Sequence, residues 1–287
     1  MASESGGDHG GGMSGYISHH LHHLANKEQH SLIDLSVVHK DTLFFSLLCA
    51  AITLLVLRLA ARKATPGVPG TFQCAVEMLV EMVDEQAKTL VKGNLKYVAP
   101  LALTVFVWVA LMNAIDLLPV DLLPWIAHQL FGVEYLRPLP TADLNDAIGL
   151  SLGTLLLVFY YSIKIKGFGG WLHELTCSPF GMVKLSFNPL TWIGALLLGI
   201  GNIGMNIVEY CGRVLSHGMR LYGNMYAGEL IFFLIAGLGG TVTAYGIVMH
   251  LIAGTAWAIF HVLIVLLQAF IFMMLTLVYI GQAHERH

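Results

Sequence analysis

Charged residues are scarce in this sequence. Asp, Glu, Lys and Arg make up 11% of its 287 residues, whereas soluble domains carry about 25%. Hydrophobic residues make up 56%, and the mean hydropathy is +0.71. This composition excludes an ordinary soluble domain. The formal net charge is −3, and no nucleic-acid partner is expected.

Several chemical motifs are also missing. The four cysteines form neither a C-x-x-C pair nor a zinc-ligand spacing, so they are interpreted as free thiols. No G-x-x-x-x-G-K-[ST] loop is present, so the chain has no nucleotide site of its own and ATP would be handled by other chains. We expect no cofactor and no metal. Residues 1–30 also lack the basic and apolar regions of a signal peptide, so the first span is expected to be its own membrane signal.

Long uncharged runs dominate the rest of the chain. A transmembrane helix needs ~20 mostly apolar residues. The runs therefore predict an all-α polytopic membrane protein, with about five membrane-embedded helices plus one amphipathic interfacial helix. A mobile N-terminal tail is expected over residues 1–35, and a single helical membrane domain over residues 36–287. The uncharged runs are Thr42–Leu57, Tyr97–Ile115, Ala147–Ile163, Leu185–Val208 and Leu230–Ala283.

Two regions differ from simple spans. Residues 71–92 have an acidic face and an apolar face, which predicts an amphipathic helix at the membrane interface. Residues 190–236 and 246–280 would be ~70 Å and ~52 Å long as helices, whereas the hydrocarbon core is ~30 Å thick. Unless glycines break these helices, they must tilt strongly. A tilted hairpin over residues 190–280, lying along another body, is the favoured interpretation.

Basic residues predict the orientation, because Lys and Arg concentrate in cytoplasmic loops. One set of loops contains Lys27, Lys40 and Arg137 only. A periplasmic N-terminus and a cytoplasmic C-terminus are therefore expected. The opposite set of loops contains Arg58, Arg62, Lys63, Lys88, Lys92, Lys96, Lys164, Lys166 and Lys184.

Arg220 is the most unusual residue of the apolar C-terminal region. Within residues 214–283, Arg220 and Glu229 are the only Asp, Glu, Lys or Arg residues. A charge at the bilayer centre costs about 3 kcal/mol on insertion scales. Nine residues at 100° each place Arg220 and Glu229 on roughly opposite helix faces, whereas helical ion pairs need a spacing of three or four. Arg220 must therefore interact with another helix or another chain.

Polar residues form a stripe on each of the last two predicted helices. Such stripes mark protein-facing or water-lined surfaces, because lipid cannot satisfy them. Interhelical hydrogen bonding is the alternative, and it stays open for Asn224 and Gln268. Glu229 and His261 fit either a structural contact or a proton-exchanging pair. The first stripe contains Asn202, Asn206, Glu209, Arg213, Arg220 and Asn224, and the second contains His250, His261, Gln268 and Tyr279.

Several long motifs carry a family resemblance. The run at residues 219–230, Met-Arg-Leu-Tyr-Gly-Asn-Met-Tyr-Ala-Gly-Glu-Leu, closely resembles subunit a of bacterial F-type ATP synthase. The same holds for Trp-Ala-Ile-Phe-His at 257–261, Leu-Gln-Ala-Phe-Ile-Phe at 267–272 and Pro-Thr-Ala-Asp-Leu-Asn at 140–145. Matching segments cover about residues 95–280 in the family's order.

This resemblance implies a membrane stator in the bacterial inner membrane. Two laterally offset half-channels would pass H⁺ to and from the buried carboxylates of a rotating ring of c subunits, which couples proton flow to rotation and ATP synthesis. The implied partners are the c ring, the b-subunit peripheral stalk, the other synthase subunits and the lipid bilayer. Sodium as the coupling ion stays open.

The resemblance also implies roles for individual residues. Arg220 matches the family's essential arginine, whose guanidinium stays protonated in proteins. Glu229 and His261 match a pair in the periplasmic half-channel, with Asn224 and Gln268 near the arginine. The implied half-channel lining comprises Asp143, Asn145 and Asp116 at the periplasmic mouth, Glu209 on the cytoplasmic side, and Tyr279.

Two other interpretations compete with this one. A secondary transporter would show an inverted repeat with broken helices, and the sequence contains no internal repeat. A non-transporting assembly subunit would use its charges only for packing, and it predicts that neutralising Arg220 harms assembly rather than coupling.

Overall fold

The computed structural model describes residues 24–27, 37–65, 67–92, 96–119, 122–132, 136–181, 189–239 and 243–284. In these ranges the secondary structure is helical, apart from an isolated bridge between Ala25 and His39. Most of the predicted N-terminal tail, including its His-rich run at residues 19–23, lies outside the described residues.

Seven α-helices follow one another in the described ranges. Five of them are long and apolar enough to cross a membrane: α1, α3 with the 3-10 turn that follows it, α5, α6 and α7. The predicted class, an all-α polytopic membrane protein with five embedded helices, is therefore confirmed. The helices are α1 Lys40–Lys63, α2 Thr71–Leu90, α3 Val98–Ala114, α4 Leu122–Phe131, α5 Leu144–Cys177, α6 Pro189–Gly239 and α7 Ala244–His284, with 3-10 turns at Ile115–Leu117 and Pro140–Ala142.

The amphipathic helix predicted at residues 71–92 is α2. It is not among the helices apolar enough to span. Val83 and Ala87 are buried, whereas Glu77, Glu81 and Glu85 are exposed. Part of the apolar face therefore packs against protein, whereas Phe72 and Leu79 stay exposed together with the acidic residues.

Two segments are helical although their composition is typical of loops. Pro119 and Pro124 favour a loop, but Pro124 is in the first turn of α4, where a proline loses no intrahelical hydrogen bond. Helix α5 continues to Cys177 through Gly167, whose φ of 74° breaks the helical path. Glycine tolerates this positive φ, and the helix resumes after it.

The last two helices are long, as predicted. Helix α6 has 51 residues and α7 has 41, and the glycines of α6 do not interrupt it. At 1.5 Å per residue, α6 is ~77 Å long. A strong tilt in the membrane stays a prediction that follows from this length.

The chain forms two compact units. The first unit contains the residues up to Leu54, Trp108–Asp146 and Tyr222–Ala269, and the second contains Leu55–Val107, Ala147–Leu221 and the residues from Phe270. Helices α1, α3, α5, α6 and α7 each contribute to both units. The buried core includes Met112, Met225, Phe233 and Ala269 in the first unit, and Val83, Ala87, Leu221, Met273 and Leu277 in the second.

Candidate functional site

A buried ion pair lies in the first unit between Arg137 and Glu229. The two residues are 5% and 6% exposed. Arg137 Nε donates to Glu229 Oε1 at 3.3 Å, and Arg137 Nη2 donates to Glu229 Oε2. The guanidinium also lies 5.6 Å from the ring centroid of Tyr226. Two parallel bonds of this kind are the strongest arrangement for a carboxylate and an arginine.

His261 and Asp116 form a second buried pair in the same unit. His261 Nε2 lies 2.6 Å from Asp116 Oδ2, and the side chains are 0% and 6% exposed. The imidazole lies against Gly228 so closely that a β-carbon on this glycine would overlap the ring. The missing side chain of Gly228 therefore allows His261 of α7 to pack against α6 directly beside Glu229.

The two pairs share a small cavity. Its volume is about 30 Å³, and its wall includes Asp116, Arg137 and Glu229. A water molecule needs roughly 10–15 Å³ of such space, so the cavity has room for one or two. The predicted residues Glu229 and His261 thus belong to one polar cluster, in which each has a partner of its own.

Asp143 is 3% exposed and joins three segments of the first unit. Its Oδ2 accepts a hydrogen bond from Thr42 Oγ1 at 2.7 Å and lies 2.6 Å from His39 Nδ1. Its Oδ1 accepts from the backbone N–H of Asn145 at 2.9 Å, which is the geometry of a helix N-cap. Asp143 therefore starts α5, and the Asn145 side chain stays exposed.

Asp41 was missed as a site residue, although it is 2% exposed. Its carboxylate accepts from the backbone N–H groups of Leu24 at 3.1 Å, Thr42 at 2.9 Å and Arg137 at 3.3 Å. Arg137 and His39 were missed as well. Their sequence signal is weak, because all three residues stand outside the long apolar runs and look like ordinary loop charges.

Asn224 and Gln268 connect α6 to α7 in the first unit. Asn224 Nδ2 donates to Gln268 Oε1 at 2.6 Å. Gln268 is 2% exposed, whereas Asn224 is exposed. Of the alternatives that the sequence left open for this pair, the interhelical hydrogen bond is present.

Arg220 differs from the other arginines of these clusters. Its side chain is exposed on α6 in the second unit. It forms no hydrogen bond or ion pair with any residue that the structure describes. Its charge is thus available on the surface of an apolar helix.

A larger polar cavity, of about 250 Å³, lies in the second unit. Lys166 Nζ lies 2.7 and 2.8 Å from the Glu174 carboxylate oxygens, and Arg213 pairs with Glu209 one turn earlier on α6. The guanidinium of Arg213 lies 5.2 Å from the ring centroid of Tyr279. The predicted residues Glu209 and Tyr279 both line this cavity.

Asn202 and Asn206 of the first polar stripe form hydrogen bonds with backbone carbonyl groups rather than with the charged side chains of the cavity. Asn202 Nδ2 donates to Thr176 O at 2.8 Å, and Asn206 Nδ2 donates to Leu175 O at 3.1 Å. The last carbonyls of a helix have no intrahelical partner, so these two amides satisfy carbonyls at the end of α5.

Five helices long and apolar enough to span, together with a buried ion pair and polar cavities, define the class of multi-pass membrane proteins with polar groups in their interior. Residues 43–281 match the family described as ATP synthase A chain, and the chain belongs to this family. It is thus a membrane subunit of an F-type ATP synthase, with a role in ion transport and ATP synthesis.

Relatives agree with this assignment over nearly the whole chain. The chain is 54% identical over 301 residues to ATP synthase subunit a of Paracidovorax citrulli, with 100% of both chains covered. It is 57% identical over 283 residues to the Acidovorax sp. protein of the same name, with 96% of each covered. The Colwellia psychrerythraea subunit a is 45% identical over 276 residues, which cover 95% of this chain and 96% of that one. The chain is accordingly a bacterial membrane protein.

Proposed function

We propose that this chain is the proton-conducting stator subunit of its ATP synthase. Two offset half-channels pass H⁺ to and from carboxylates on a ring of c subunits, and this flow is coupled to rotation. The observation that carries the proposal is Arg220, an exposed arginine on an apolar spanning helix with no ion-pair partner among the described residues. Such a charge needs a partner outside the chain.

Arg220 has two tasks in this mechanism. Its guanidinium keeps its proton at any physiological pH, so it attracts each arriving ring carboxylate and favours proton release there. The fixed positive charge also repels H⁺ and blocks a direct leak between the half-channels. A lysine could lose its proton in this setting, so Arg220→Lys is not a conservative change.

The first-unit cluster is suited to the periplasmic half-channel. Asp116, His261 and Glu229 are titratable groups within one buried cluster with room for water. Imidazole and carboxylate groups exchange protons readily when their ionisation ranges approach each other. Asp143, with His39 and Asn145 beside it, forms the mouth of this path. Asn224, which bonds to Gln268, follows Arg220 by one turn of α6.

The second-unit cavity is suited to the cytoplasmic half-channel. It is polar and large enough for several water molecules. Glu209 is half-exposed and paired with Arg213, so it can exchange a proton with water in the cavity. Tyr279 stands at the same wall. In this assignment the C-terminus is cytoplasmic and the N-terminus periplasmic, and the c ring and the b-subunit stalk are the neighbouring subunits.

Disulfide cross-linking to the ring tests this function. Ser216 is exposed and lies one turn before Arg220 on α6. The native Cys211 is also exposed, but it lies nine residues before Arg220 and therefore on the opposite face of the helix from Arg220. We expect Ser216→Cys to cross-link with a cysteine beside the ring carboxylate, in the assembled synthase with Cys211 replaced. A chain that retains Cys211 and Ser216 is the matched control and should not cross-link. Equal cross-linking of both, or none by Ser216→Cys in assembled complexes, would contradict the stator assignment.

A further inference from the structure

A buried histidine of the second unit is not used by the mechanism described above. His217 lies on α6, one turn before Arg220, and is 2% exposed. Its ring stacks on Phe272 of α7 with a centroid distance of 3.9 Å and an interplanar angle of 28°. Nε2 of His217 is buried and has no hydrogen-bond partner among the described residues.

The buried His217 imidazole destabilises the fold, and no contact of Nε2 with the described residues offsets this effect. A buried polar atom without a partner costs about 1–3 kcal/mol. A leucine or phenylalanine would fill the same apolar space against Phe272 without this cost. The backbone beside His217 is also tightly packed, because a β-carbon on Gly218 would lie 3.0 Å from the carbonyl oxygen of Ala147 on α5. The α6 backbone next to His217 is thus held against α5, and the imidazole keeps a buried nitrogen without a partner among the described residues.

The neighbours of His217 connect it to the large cavity of its unit. Its ring lies edge-on to Tyr279, with 5.9 Å between the centroids. Tyr279 lines the 250 Å³ cavity together with Glu209 and Arg213. Tyr279 and Arg213 also line a smaller cavity of about 10 Å³ with Ser151 and Thr154 of α5, which has room for roughly one water molecule. The ring of Tyr279 therefore lies between the imidazole of His217 and the two cavities that Tyr279 lines.

Within its unit, His217 is flanked by fixed positive charges. Arg213 precedes it by one turn of α6, and Arg220 follows it by one turn. From α7, Tyr279 is the titratable neighbour, and α5 contributes the hydroxyls of Ser151 and Thr154 to the adjoining small cavity. The charge of Arg220 repels a proton on the His217 imidazole. This repulsion weakens when a carboxylate outside the chain neutralises Arg220.

We infer that His217 is a proton-carrying residue between the 250 Å³ cavity and Arg220, on the cytoplasmic branch of the path; this inference rests on the proposed function. In the direction of ATP synthesis, a c-subunit carboxyl group releases its proton to water as hydronium. The hydronium protonates neutral His217 at Nε2 and becomes water. The imidazolium then gives one proton to a water molecule of the cavity, and His217 is neutral again. Pairing of Arg220 with a ring carboxylate is the event that allows His217 to take the proton.

The test is ATP-driven proton pumping by the complete synthase in vesicles, with the pH of each side set independently. His217→Phe keeps the stacking on Phe272 and removes the titratable group. His173→Phe is the matched control, because His173 is an exposed histidine in the same unit. The parent and the control should show a rate that depends on the pH of the cytoplasmic side over the range tested. His217→Phe should lose this dependence and at least about tenfold in rate, within the range of lost proton-transfer catalysis.

The outcomes separate this inference from the function on which it rests. If His217→Phe pumps like the parent, or more slowly with the parent's pH profile, the imidazole only fills space and the inference is wrong. A change in the dependence on periplasmic pH alone would also overturn it. If His217→Phe assembles poorly, His217→Gln gives the same comparison with a polar side chain that does not titrate in this range. If the parent complex itself pumps no protons, both this inference and the proposed function are wrong.

Discussion

At the residue scale, Arg137 and Arg220 are two arginines in apolar surroundings that differ in burial and in pairing. Arg137 is buried and paired with Glu229 through two hydrogen bonds. Arg220 is exposed and has no partner among the described residues. Charges buried without a partner are costly, so the first arrangement is complete within the chain, whereas the proposed function gives Arg220 a partner on another chain.

Neutralising Glu229 should have a large effect because it leaves the Arg137 guanidinium buried. Breaking a buried ion pair by removing one partner typically costs about 3–5 kcal/mol, whereas replacing both partners by apolar residues is often close to neutral. We expect Glu229→Leu to lower thermal stability in detergent strongly, and Arg137→Met with Glu229→Leu to recover much of the loss. Proton pumping should stay low in both variants, since the exchanging carboxyl is gone. Equal stability of the single and double variants would contradict a dominant Arg137–Glu229 pair.

The sequence singles out several polar residues but not the side chains that they contact. Charge scarcity singled out Arg220 and Glu229, and helical spacing excluded a bond between them. Arg137, the partner of Glu229, is 92 positions away from it in the chain. No periodic sequence pattern predicts a contact over such a separation. The pairing of His261 with Asp116 was hidden for the same reason.

At the scale of elements, the long helices were predictable and the short ones were not. Uncharged runs longer than the bilayer requires predicted α6 and α7 within a few residues. Helix α4 has only ten residues and two prolines in or before its first turn, so its composition indicates a loop. The continuation of α5 beyond Gly167 depends on one positive φ, which glycine permits but does not require.

The contact between α6 and α7 in the first unit depends on Gly228. A β-carbon there would overlap the His261 imidazole, whereas one at Gly223 on the same helix meets open space. We expect Gly228→Ala to displace His261 from Asp116, to cost about 1–3 kcal/mol by overpacking, and to reduce proton pumping. Gly223→Ala should be neutral or raise helix stability by up to ~1 kcal/mol.

Thermal unfolding in detergent and pumping in vesicles measure the two effects of this glycine pair. If Gly228→Ala and Gly223→Ala behave alike in both assays, close packing of His261 on α6 does not support the site.

At the scale of the whole molecule, each compact unit contains a polar cluster of its own. The first unit has the Arg137–Glu229 ion pair and the His261–Asp116 pair at a small cavity, and the second has two ion pairs at a cavity of about 250 Å³. Two separate sets of titratable groups are what a pathway with two half-channels needs, because a continuous polar channel would dissipate the proton gradient. The sequence alone indicated two polar stripes, but the sorting of their residues into separate clusters depends on tertiary contacts.

The central claim is that Arg220 acts on a carboxylate of another chain, and Arg220→Ala tests it most directly. Arg62 on α1 is also exposed, so Arg62→Ala controls for the loss of a positive charge. ATP-driven proton pumping is measured in inverted membrane vesicles in which the amount of assembled synthase is matched. The account predicts that Arg220→Ala assembles normally and loses ATP-driven pumping, while Arg62→Ala pumps like the parent. Normal pumping by assembled Arg220→Ala, or loss of assembly without any specific loss of coupling, would contradict it.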